Sequence, residues 1–274
     1  MSVRSNLCQT GTATCGACCG EFNFRDHSRQ AIATELRRHT AGLRDVERTK
    51  EAFAAKAAEI KEAAPDALFP IVRVCPLLGF VDAAEEKIGC LAHPAVVGTD
   101  LRDCGVYTSD ICETFTCPSY IWLDDATAEL IRDACPDWYT YGLVITDVEF
   151  VRGCFTLFVN ALARPVSADE LRTKALPQIA ALFALKAIAP DRPEGAKIFG
   201  RFEDRGEEDP HMRIIDTDAL GVSPSAEDLL VLCLGYAPVA KLELLAARSL
   251  VQRHIDAVIE QLTADDARTS APRT

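Results

Sequence analysis

The chain has 274 residues, of which 49% are hydrophobic and 26% are charged, and its formal net charge is -12 at pH 7. This composition is typical of a globular protein that is long enough to bury a core. Because nucleic-acid phosphates are bound by clustered Lys and Arg, the acidic balance argues against a nucleic-acid-binding surface.

The N-terminal segment MSVRSNLCQTGTATCG lacks the apolar stretch of a secretory signal. The longest apolar run, near DLLVLCLGYAPVA, is shorter than the roughly 20 residues that a membrane span needs. We therefore predict a cytoplasmic protein with no membrane partner. In that reducing compartment, a dense cysteine pattern indicates metal binding or catalysis rather than a disulfide framework.

Four cysteines stand close to the N-terminus: Cys8, Cys15, Cys18 and Cys19. Three of them lie in TCGACCG (residues 14–20), a segment with almost no apolar side-chain volume, so that packing in a core does not explain its thiols. Thiolates, normally four to a site, bind zinc or iron–sulfur clusters. Because neighbouring side chains point in different directions, two adjacent metal centres that take one each of Cys18 and Cys19 are the easier geometry.

A long helix is predicted next, over residues 28–64. Asp26 or Ser28 can cap its start and Pro65 ends it. Its apolar residues recur every three or four positions and form one face. We expect this face to pack on other helices of the same chain rather than in an intermolecular coiled coil, with Gly42 as the candidate for a bend or break.

A second group of cysteines follows the helix: Cys75, Cys90, Cys104, Cys112 and Cys117. Neither group has the paired C-x2-C knuckles of a zinc ribbon. Proline follows Cys75 and Cys117, as it follows the last ligand of the bacterial ferredoxin run.

The rest of the chain is predicted to be mainly helical. Asp124 or Asp125 caps a helix. The apolar segment 137–163 is one buried helix or a strand and a helix, and a helix over 167–189 is kinked at Pro177. A small β-hairpin is predicted near 195–217, followed by two closing helices and a disordered tail over 265–274.

The predicted fold is therefore mainly α with a minor β-hairpin. It divides into a cysteine-rich, irregular metal-binding region over 1–122 and a helical domain over 123–264. Three single cysteines in the second domain have apolar neighbours and are expected to be ordinary buried thiols: Cys135, Cys154 and Cys233.

Three cysteine elements, TCGACCG, CPLLGFVDAAEEKIGCLAHP and CETFTCPSY, resemble a cysteine-cluster family described as zinc- or iron-chelating. That family is often labelled iron–sulfur oxidoreductase, and a flagellin lysine methylase carries a related cluster. The resemblance covers residues 8–120 and implies eight ligands, enough for two four-thiolate sites: Cys8, Cys15, Cys18, Cys19, Cys75, Cys90, Cys112 and Cys117.

The chain departs from the family pattern at two residues. His93 stands where the family often has a Tyr-x-Arg-Pro-like element, and it either binds metal or fixes a turn. Cys104 is an additional cysteine that either joins the ligands or stays outside them.

An iron–sulfur protein with a redox or cluster-dependent role is the function that we predict, and Zn²⁺ is the alternative metal. With zinc, the cysteine-rich region would be a structural brace and the helical half would bind a protein partner. A cluster-dependent protein-modifying enzyme similar to the methylase is a further alternative. No G-x-S-x-G, H-E-x-x-H or Walker A motif is present, so the sequence assigns no catalytic residue.

Overall fold

The computed structural model describes residues 7–11, 13–188, 190, 195–207 and 209–269. Within these residues the fold is mainly helical, as predicted, with five short strands in two small antiparallel sheets. None of the described helices combines the length and apolarity that crossing a bilayer requires.

The helices fall into a cysteine-rich half and a C-terminal half. In the first half they are α1 (Arg29–Arg44), α2 (Lys50–Glu62), α3 (Pro94–Val97), α4 (Ser109–Thr114) and α5 (Ser119–Trp122). In the second half they are α6 (Asp125–Ala134), α7 (Trp138–Ile145), α8 (Val148–Leu162), α9 (Ala168–Lys174), α10 (Leu176–Ala184), α11 (Asp228–Cys233) and α12 (Lys241–Thr269). The strands are β1 (Leu78–Phe80), β2 (Ile88–Cys90), β3 (Ile198–Phe199), β4 (Phe202–Glu203) and β5 (His211–Met212).

The single helix predicted over residues 28–64 is wrong, because the segment between α1 and α2 carries signals that end one helix and begin another. The guanidinium group of Arg48 donates to the carbonyls of Leu43 (3.0 Å) and Arg44 (2.9 Å) at the C-terminal end of α1. The hydroxyl of Thr49 then accepts from the N–H of Ala52 (3.3 Å) and caps α2.

Gly42 lies inside α1 and is not the site of the break. A Cβ atom at this position would lie 3.2 Å from Cδ1 of Ile60, so glycine allows α1 and α2 to pack closely. Leu43, Phe53, Ala57 and Ile60 are buried together, which places the predicted apolar face inside the chain.

The sequence did not predict the two-stranded sheet that follows. Strands β1 and β2 pair antiparallel, with Leu78 opposite Cys90 and Phe80 opposite Ile88. His39 joins α1 to this sheet, because its Nδ1 lies 2.8 Å from the carbonyl of Leu78 and its side chain is buried. This sheet and helix therefore position the segment that carries Cys75 and Cys90.

His39 is expected to make stability depend on pH below neutrality. Burial is the largest effect and lowers the pKa of its imidazole below the ordinary 6.5, and the charge of Arg38 lowers this pKa further. The Leu78 carbonyl and the charge of Glu35 raise it but do not cancel the decrease. The unfolded chain therefore takes up this proton at a higher pH than the folded chain does. Stability should fall as the pH drops below about 6.5, by at most about 1.4 kcal/mol per pH unit.

A His39→Gln variant should lose this part of the pH dependence. Urea unfolding of wild type and variant at about pH 7.5 and about pH 5.5 measures it, because groups common to both proteins cancel in the difference. A wild-type-minus-variant difference that is the same at both pH values would show that His39 is not the group responsible.

The C-terminal half differs from its prediction in four details. The apolar segment 137–163 forms two helices, α7 and α8. The helix predicted over 167–189 divides at Ala175, because Pro177 has no N–H to donate and its ring crowds the carbonyl of Thr173. The predicted hairpin, whose turn is the acidic segment EDRGEED, is formed by β4 and β5, and β3 adds a third strand that pairs with β4. Helix α12 covers 265–269, where a disordered tail was predicted, and 270–274 lie outside the described residues.

Packing crosses the predicted domain boundary near residue 122. Leu7 and Ala13 belong to the core of the C-terminal helices, while Trp138 and Tyr139 pack with residues of the cysteine-rich half. The hydroxyl of Tyr141 also donates to the carbonyl of Leu7 (2.7 Å). The N-terminal cysteine segment is thus fastened to helix α7.

Candidate metal centres

Backbone hydrogen bonds bring distant cysteines together. The N–H of Cys15 donates to the carbonyl of Cys8 (3.0 Å), and the N–H of Cys75 donates to the carbonyl of Cys19 (2.8 Å). The TCGACCG segment itself forms a short 3-10 helix over Ala17–Cys19. The adjacent residues Cys18 and Cys19 therefore lie at the junction of the two cysteine groups.

Gly20 allows the close approach of the segment that precedes Cys75. Its φ of 82° lies in the left-handed region, and a Cβ atom there would be 2.3 Å from the carbonyl oxygen of Arg73 and 2.8 Å from Cα of Val74. No side chain larger than hydrogen fits in that space. Glycine at this position is thus required for Cys19 and Cys75 to be neighbours.

Four thiols form what we call the first thiol set: Cys8, Cys15, Cys18 and Cys117. The thiols of Cys18 and Cys117 are hydrogen-bonded, which lowers the pKa of Cys117 to about 6 and raises that of Cys18. Electrostatic interactions with Cys15 and Cys8 further raise the pKa of Cys18. Cys8 and Cys15 likewise have raised pKa values, first because of burial and then in part through the charge of Cys117.

The remaining four thiols form the second thiol set: Cys19, Cys75, Cys90 and Cys112. Burial raises the pKa of Cys19 well above its ordinary value, followed by the charges of Cys75, Cys90 and Cys112 and then that of Cys8 in the first set. Burial is also the largest cause that raises the pKa of Cys90 to about 11, with contributions from Cys75 and Cys112. Each set thus gathers groups that repel one another when ionised, which a cation would relieve.

Backbone N–H groups point at one or more sulfurs in each set. In four cases the donor stands two residues after the cysteine: Ala17 for Cys15, Leu77 for Cys75, Ala92 for Cys90 and Ser119 for Cys117. These hydrogen bonds lower the thiol pKa and so favour the thiolate, which is the metal-binding form. By contrast, burial raises the pKa of Cys135 with no N–H donor opposing it, and the sulfur of Cys233 lies 3.8 Å from a carboxylate oxygen of Asp147.

All twelve cysteines are free thiols, so no disulfide joins the sets. In the described part of the chain, no three His, Cys, Asp or Glu side chains are arranged closely enough to hold a metal ion. The thiols of each set therefore interact electrostatically, but no three of them converge closely enough to share one ion in the described structure.

The two residues that the sequence left open lie outside both sets. Cys104 donates its thiol to the carbonyl of Lys50 (3.4 Å), and its pKa is raised by burial with no contribution from another cysteine. His93 is exposed, and its Nδ1 accepts from the N–H of Ala95 (3.1 Å) and caps α3. His93 therefore fixes a turn.

Two polar side chains beside the first thiol set were not predicted from the sequence, Glu21 and Ser119. Glu21 is buried, and its Oε2 accepts from the N–H of Gly16 (2.8 Å), while Oε1 has no hydrogen-bond partner among the described residues. Burial raises the pKa of this carboxyl well above its ordinary value. The hydroxyl of Ser119 lies 3.4 Å from the sulfur of Cys117. The sequence feature that could have indicated Glu21 is its position directly after the CCG triplet.

Comparison of the chain with protein-family models, curated proteins and solved structures finds no match.

Proposed function

We propose that the protein binds two metal centres, one in each thiol set, and that both centres are iron–sulfur clusters. The observation that carries this proposal is that backbone hydrogen bonds join Cys15 to Cys8 and Cys75 to Cys19, while the adjacent residues Cys18 and Cys19 interact mainly with different thiols. Four thiolates are the usual ligands of one cluster. The eight residues are the ones that the family resemblance implies.

The chemistry of the two sets supports a metal of high positive charge. Their thiols are free, they interact with one another, and several accept backbone N–H hydrogen bonds. Hydrogen bonds to ligating sulfurs are also among the features that set the reduction potential of iron–sulfur clusters.

Exposure of one thiol in each set supports a redox role. Cys18 and Cys112 are exposed, whereas Cys75 is buried and Cys15 and Cys19 are partly buried. When bound, an iron–sulfur cluster accepts and releases single electrons. An exposed ligand brings the edge of each centre to the surface, where electrons can pass to or from a partner.

Zinc is the second candidate, and the same all-thiolate sets favour it. The segment over residues 14–20 has little apolar side-chain volume, and two structural zinc ions would brace it without any redox chemistry. The two candidates differ in metal, colour and acid-labile sulfide.

Metal analysis of protein purified without oxygen tests the proposal. We expect a brown protein with a visible charge-transfer band that bleaches on reduction. It should hold about eight iron ions per chain, four for each [4Fe–4S] centre, matched by acid-labile sulfide. A colourless protein with about two zinc ions per chain would establish the zinc brace instead. Full-length folded protein with neither metal would disprove both.

A further inference from the structure

A cavity of about 510 Å³ lies beside the second thiol set, between the C-terminal end of α2 and the segment that leads to Cys75. This volume is within the range of about 300–1,000 Å³ that is typical of small-molecule sites. Its walls are largely apolar and include Ile60, Pro65, Val72 and Pro76. Neither thiol set contributes a lining residue.

The charged side chains that line the cavity are both cationic. These are Lys61 and Arg73, both of which are solvent-exposed, and no carboxylate is among the lining residues. Within the described residues, neither Lys61 nor Arg73 forms an ion pair. In a chain with a net charge of -12, two unpaired cations beside an apolar cavity select for an anion.

His39 adds a buried polar group to the wall. Its Nδ1 lies 2.8 Å from the carbonyl of Leu78, so the neutral ring carries its proton there and Nε2 is an acceptor. Arg38 Nη2 lies 3.5 Å from this Nε2 and is bound more closely, at 2.6 Å, by the carboxylate of Glu35. Nε2 therefore already has the Arg38 guanidinium beside it, and His39 contributes a buried wall of the cavity rather than a contact for the anionic group.

From this combination we infer that the cavity binds a small amphipathic anion. Its apolar body would lie against Ile60, Val72 and Pro76, and its carboxylate or sulfonate group would pair with Lys61 and Arg73. The inference does not depend on which metal the thiol sets hold.

Binding of two matched probes to the purified, metal-loaded protein tests this site. Anilinonaphthalene sulfonate carries an anionic group, and phenyl-naphthylamine has the same aromatic body without it. Equilibrium dialysis should show one sulfonate probe bound per chain. A Lys61→Gln/Arg73→Gln double variant should bind it about tenfold more weakly, because two ion pairs at a partly exposed site are lost. Binding of the uncharged probe should not change.

Two further variants test whether the loss of any surface cation has the same effect and whether the probes bind in this cavity. Arg44→Gln removes one exposed cation from α1 outside the cavity and should leave both dissociation constants unchanged. Ala64→Phe adds a ring to the lining and should abolish binding of both probes. Circular dichroism and metal content show that each variant is folded. The inference is overturned if the sulfonate does not bind, if the double variant binds it as tightly as wild type does, or if Ala64→Phe retains both probes.

Discussion

Replacing Cys19 with serine is expected to remove the metal of the second thiol set and leave that of the first, so that metal content per chain falls by about half. Replacing Cys18 with serine should remove the metal of the first set instead. Metal binding and folding are linked, and a structural four-thiolate ion has an apparent binding free energy of about 10–16 kcal/mol. Each variant should therefore unfold at a much lower temperature than wild type.

Metal analysis and thermal unfolding of both single variants and the double variant measure this effect. The Cys18→Ser/Cys19→Ser double variant should hold no metal. Cys104→Ser and Cys233→Ser are matched controls that should keep full metal content, because their sulfurs interact with Lys50 and Asp147 rather than with either set. If each single variant loses all of its metal, the chain has one shared centre. Metal loss in Cys233→Ser with no loss in Cys18→Ser would show that the ligand assignment is wrong.

Replacing Gly20 with alanine is expected to lower the free energy of unfolding by about 3–5 kcal/mol and to release the metal of the second thiol set. The added methyl would lie 2.3 Å from the carbonyl oxygen of Arg73, which is backbone and cannot rotate away. Relief of this clash must move the segment over 73–75 and break the hydrogen bond from Cys75 to the carbonyl of Cys19. Urea unfolding and metal analysis together measure the two effects.

Gly11 offers a control with a similar, positive φ. Its φ is 86° and nothing lies within 4 Å of a Cβ atom built there, so Gly11→Ala introduces the strain of a left-handed alanine without a clash. We expect it to cost about 1–2 kcal/mol and to keep all of the metal. Equal losses of stability in the two variants would mean that backbone strain, and not the approach of Arg73, explains the need for glycine at position 20.

Local signals in the sequence were sufficient for the class of fold and for several helix ends. Ser28 caps α1 and Asp124 caps α6, and both act through hydrogen bonds to N–H groups three residues ahead. Ser167 caps α9 in the same way, through the N–H of Glu170, while the carboxylate of Glu170 binds Arg164. A cap depends on residues within one turn, and such information is contained in the sequence.

Sequence patterns were enough to predict a mainly α fold, and the family resemblance of three cysteine elements implied eight candidate ligands. Which thiols interact with one another depends on the folded chain. Cys112 and Cys117 are five residues apart, yet Cys112 interacts with Cys19 and Cys90, whereas the thiol of Cys117 is hydrogen-bonded to that of Cys18. These thiols are brought together by contacts between segments about a hundred residues apart, such as the hydrogen bond from the N–H of Leu7 to the hydroxyl of Tyr120. Such contacts cannot be read from the spacing of residues along the chain.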